Sequence, residues 1–133
     1  MYESILKFKS YSVNEITFIA NDEFLASEEG LQIQFSINKE TTTKENNMVV
    51  KLITNIFENS KENKYPFEMK IVITGYFTIE NNNEEINFEP NAIAILYPYI
   101  RSIVSTYTAN TNVNALILPI INVNKLIENT KKD

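Results

Sequence analysis

The sequence predicts an α+β fold: a four-stranded antiparallel sheet followed by one long and one short helix. Three observations predict it. Apolar and polar side chains alternate with a period of two through the first half of the 133 residues. From Ala92 to Tyr107 the apolar residues recur every three or four positions instead. Strands therefore come first and helices last, the order of a layered α+β domain and not of alternating strand–helix units. A chain of this length fits one domain, residues 1–133.

The stretch from Ile5 to Ile19 reads as a long strand, irregular around Ser10 to Asn14. Leu31, Ile33, Phe35 and Ile37 alternate with Gln32, Gln34, Ser36 and Asn38, which puts the apolar set on one face. Met48 to Phe57 is strand-like and apolar on both faces at its start. The clearest strand is Phe67 to Ile79. There Phe67, Met69, Ile71, Ile73, Phe77 and Ile79 share a face with Gly75, while Glu68, Lys70, Val72, Thr74, Tyr76 and Thr78 point the other way. The polar stretches Asn21–Gly30, Glu40–Asn47, Glu58–Tyr65 and Asn81–Glu85 read as connections, so the strands should form a meander.

The helical segment carries two apolar stripes. One is Ile93, Leu96, Tyr97, Ile100, Val104 and Tyr107; the other is Ala92, Ile95, Tyr99 and Ile103. A helix apolar on two sides is buried on two sides. One side can lie on the chain's own sheet; the second calls for another copy of the chain, through Ile95, Tyr99 and Ile103. Pro98 lacks an amide donor and should kink or open the helix near Ala94 to Pro98. Beyond Pro119, Asn122 can cap a last helix, with Ile121 and Leu126 at the two positions of a hydrophobic staple and the end near Lys131.

Composition removes whole classes of chemistry. The chain has no His and no Cys, so it offers no imidazole base, no Ser-His-Asp or Cys-His arrangement and no thiolate metal site. Its two glycines, Gly30 and Gly75, cannot form a phosphate-cradling loop. Neighbouring carboxylates, Glu28-Glu29 and Glu84-Glu85, sit in polar connections and read as solvated charges. No catalytic residue, metal or cofactor is expected. A net charge of −5 argues against nucleic-acid partners and for solubility. No apolar run approaches the roughly 18 residues of a membrane span. The start, Met1-Tyr2-Glu3-Ser4, does not resemble a leader, so a cytoplasmic location is expected.

Three segments, in order, resemble the SecB family of protein-export chaperones. Phe67–Ile79, with Thr74-Gly75-Tyr76-Phe77, is similar to that family's last strand. Ile95-Leu96-Tyr97-Pro98-Tyr99-Ile100-Arg101 resembles its Leu-Phe-Pro-Tyr-x-Arg stretch. Leu116–Leu126, with Leu118-Pro119-Ile120-Ile121-Asn122, resembles its proline turn before the short helix. Asn14-Glu15-Ile16-Thr17-Phe18 is similar to its first strand. The resemblance implies an ATP-independent holdase that binds unfolded polypeptide or preprotein in apolar grooves, assembled as dimers paired into a homotetramer. It further implies groove positions at Leu31, Ile33, Phe35, Phe67, Met69, Ile71, Ile73 and Ile127, and a site for the SecA motor at Glu15. Ile19, Glu68 and Lys70 depart from the acid, leucine and acid of that docking face. A SecB-like chaperone for one dedicated client, such as an antitoxin, is the alternative.

Overall fold

The computed structural model describes residues 3–25, 30–111, 115–121 and 123. Its class is α+β, as the pattern predicts. The elements are β1 (Ile5–Ala20), β2 (Phe35–Lys44), β3 (Asn47–Ile56), the one-turn α1 (Ser60–Asn63), β4 (Phe67–Glu80) and the long α2 (Glu89–Ala109). All strand pairings are antiparallel, in the order β1-β4-β3-β2. The expected short terminal helix, with Asn122, Leu126 and Ile127, lies outside the described residues.

The order corrects the meander. Strands β2, β3 and β4 do follow one another, but β1 pairs with β4 and not with β2. The chain must therefore cross the sheet between Ala20 and Phe35. Asn21 anchors the departure. Its buried side-chain amide donates to the carbonyls of Ser60 and Tyr65, and its backbone N–H donates to the carbonyl of Pro66. These bonds tie the end of β1 to the turn that launches β4.

Strand β2 is also shifted. The alternation begins at Leu31, but the ladder begins at Phe35, where Ile56 is the partner and β3 ends. Phe57, the next residue, takes a left-handed backbone (φ 54°) that stops the strand. At its other end β2 runs through Glu40–Lys44, which polarity had marked as a loop. Thr41, Thr42 and Thr43 are β-branched and suit an edge strand, and the hairpin reverses only at Glu45-Asn46, with Glu45 at φ 56°. The irregularity expected in the first strand is present: the β1–β4 register shifts between Phe8 and Ser10 and again between Val13 and Glu15.

Helix α2 covers one face of the sheet. The odd-numbered residues of β4 face it, together with Met48, Val50, Leu52, Thr54 and Ile56 of β3. Gly75 lets it approach: a Cβ there would lie 2.7 Å from Leu96 Cδ2. The helix runs unbroken through Pro98. Ala94 and Pro98 lie on its exposed side, so water can take the carbonyl that proline leaves without a donor.

Candidate functional site

The two flanks of α2 carry different neighbours. On one side Tyr99 packs on Tyr11 (ring centroids 4.4 Å) and Phe8 (5.8 Å) of β1, and Tyr107 packs on Phe18 (5.7 Å). On the other side the extended segment 115–121 runs antiparallel to the helix and is stitched to it by helix side chains. Tyr97 Oη donates to the Pro119 carbonyl (2.6 Å), Arg101 Nε to that of Leu118 (3.0 Å) and Ser105 Oγ to that of Leu116 (3.2 Å). The Leu116 N–H donates to Thr108 Oγ1 (2.8 Å). Since β1 lies under the first flank, the sheet order places this strap on the β3–β2 side.

The strap alternates. Leu116 and Leu118 turn inward, Leu118 being fully buried, whereas Ile117 is 65% and Ile120 85% exposed. The Tyr97 phenol is held above its ordinary value of 10.0 by burial, with the Arg101 cation opposing the shift.

The candidate groove residues divide into two sets. Leu31 is 46% exposed; Ile33 and Phe35 are half-buried and pack on the rim of the core. Phe35 also lines a cleft of about 260 Å³ with Gln34, Phe57, Asn63 and Tyr65. By contrast Phe67, Met69, Ile71 and Ile73 are core residues beneath the helix layer, with Ile71 and Ile73 at 0% exposure. Ile127 lies outside the described residues.

The interface candidates Ile95, Tyr99 and Ile103 are all half-buried on the helix. Tyr99 borders Tyr11, and Tyr11, Val13 and Ile16 of the edge strand β1 remain exposed beside this flank. Glu15 lies on the open face of the sheet, where Lys70 Nζ comes within 3.8 Å of its carboxylate and Thr17 donates to it at 3.0 Å. Sequence reasoning missed the strap's hydrogen bonds. The helix side chains that make them, at positions 97, 101, 105 and 108, share a helix face, but nothing local says that a later segment will lie along it.

The sheet order, the long covering helix and the strap define a class: an α+β scaffold that keeps apolar surface on its connections. The chain belongs to the SecB family, described as preprotein translocase subunit SecB, whose match spans residues 8–133. An uncharacterized protein of Methanocaldococcus jannaschii is 35% identical over 96% of this chain and 85% of its own length. Among solved structures, the Mycobacterium tuberculosis SecB-like chaperone, in complex with a peptide from the HigA1 antitoxin, superposes with a TM-score of 0.69. Its identity is 14%, over 88% of this chain and 90% of that one. A Streptococcus agalactiae protein of unknown function superposes at 0.58, with 15% identity over 90% of this chain and all of the other. No helix among the described residues is long and apolar enough to cross a membrane.

Proposed function

We propose that this protein is an ATP-independent chaperone that holds non-native polypeptide through exposed apolar side chains. SecB membership over nearly the whole chain carries the reading. Its physical support is the apolar surface on the two connections, at Leu25 and Leu31 on one and Ile117 and Ile120 on the other. Such surface contacts many unfolded sequences without reading any one, and several weak contacts on one long client add through effective concentration. Among the described residues, Leu31, Ile33 and Phe35 are the candidate positions with surface available in this conformation. Phe67, Met69, Ile71 and Ile73 join them only if their cover moves. The working unit in this reading is a cytoplasmic homo-oligomer, a tetramer built from dimers, meeting through Ile95, Tyr99 and Ile103 beside the β1 edge.

The test is suppression of aggregation. Wild-type protein is expected to hold several heat-denatured clients in solution without ATP. Leu31→Asp should reduce that protection while changing its own stability by less than about 0.5 kcal/mol. Clients that aggregate equally with and without the protein would sink the reading.

A specific observation favours a dedicated client over the export route. SecA docking would use Glu15, but Lys70 and Thr17 engage that carboxylate, and Lys70 replaces an acid of the family pattern. A pull-down that recovers one tightly bound protein and no SecA would support this second reading. Recovery of SecA would overturn it.

A further inference from the structure

Thr54 lies on the floor of the covered face. It pairs with Ile71 of β4 and Ile37 of β2, it is 0% exposed, and its hydroxyl has no hydrogen-bond partner among the described residues. Thr41, further along β2 on the same face, has a second buried hydroxyl without such a partner. It lines a cleft of about 380 Å³ with Met48, Ile86 and Phe88. Both lie on the β3–β2 half of the sheet, the side that carries the strap. A buried hydroxyl without a partner is unfavourable, and its persistence needs a reason.

We infer that Thr54 is a recognition point for the main chain of bound polypeptide, with Thr41 as a second point on the same track. The inference rests on the chaperone reading and deepens it. A client that reaches Ile71 must displace what covers it. The strap suits that role: among the described residues its hydrogen bonds run to α2, and its hold on the core is apolar, through Leu116, Leu118 and Ile121. With Leu118 withdrawn, an extended client lies against the β3–β2 floor. Thr54 Oγ1 then donates to a client carbonyl, or accepts from a client N–H. A main-chain contact of this kind is indifferent to client sequence, which an apolar groove alone achieves only for apolar segments.

The test compares Thr54→Val, which keeps the shape and removes the hydroxyl, with Thr54→Ser, which keeps the hydroxyl. The probe is reduced, carboxymethylated α-lactalbumin, a permanently unfolded chain. Thr54→Val is expected to raise the urea midpoint of the free protein and to weaken probe binding about fivefold, the worth of one hydrogen bond. Thr54→Ser should bind as the wild type does. Equal affinity of wild type and Thr54→Val would overturn the inference. So would a lower urea midpoint for Thr54→Val, since the hydroxyl would then be satisfied in the free protein. A wild type that does not bind the probe at all would instead remove the reading as a general holdase, and this inference with it.

Discussion

At the scale of single residues, two positions decide how closely the layers meet. Gly75 gives up a side chain so that Leu96 can touch the sheet, and an added methyl would also come within 2.9 Å of Phe77 Cε2. Both neighbours are buried and cannot swing aside into solvent. Gly75→Ala should therefore cost about 1–3 kcal/mol, the usual penalty for overpacking a core, read from urea unfolding. Tyr97 is the second position. Its phenol bonds the Pro119 carbonyl and is held above its ordinary value by burial. The unfolded chain consequently ionises first as pH rises. The stability this group contributes is intact below pH 10 and is lost as pH climbs through the raised folded value. Tyr97→Phe should cost about 1 kcal/mol at pH 8, one hydrogen bond, and should flatten the alkaline loss. Equal slopes in wild type and variant above pH 10 would show that another group sets that limit.

At the scale of elements, α2 has three environments. Its floor is buried on β4 and β3, one flank is stitched to the strap, and the other leaves Ile95, Tyr99 and Ile103 half-covered beside an exposed β1 edge. Half-burial matters for the assembly test. In a lone chain an aspartate at position 103 reaches water; in an oligomer closed over this flank it is stranded without a counter-charge. Ile103→Asp should thus lower the sedimentation mass without unfolding the protomer. An unchanged mass together with native circular dichroism would remove this flank from the interface. The periodicity of α2 was legible because one face of a helix repeats locally. The extent of β2 was not. Three consecutive threonines read as a polar connection, and only pairing with Met48, Val49 and Val50 turns them into strand.

At the scale of the molecule, the groove residues show what a sequence pattern can and cannot say. The alternation of Phe67, Met69, Ile71 and Ile73 correctly assigns them to one face. It does not say whether that face is open or covered, and in this structure it is covered. Leu31, Ile33 and Phe35 show the same alternation, yet they lie at the rim: Phe35 pairs with Ile56, the last residue of β3, and Leu31 and Ile33 come before the ladder begins. If the chaperone reading holds, Leu31→Asp and Thr54→Val should both impair client holding, but only Thr54→Val should change the stability of the free protein. The first acts on surface already exposed, the second on surface the client must uncover.

Periods of two and 3.6, the lack of His and Cys, and the ordered SecB-like segments were enough to establish the fold class, the strands and helix, and the family. All of these are local properties of the chain, set by which side chains neighbour one another along it. Where β1 pairs, which apolar residues stay uncovered, and which buried hydroxyls lack a partner among the described residues were decided by the tertiary structure alone. Those depend on contacts between segments far apart in sequence, such as Asn21 with Tyr65 or Tyr97 with Pro119, and no local pattern encodes such a meeting.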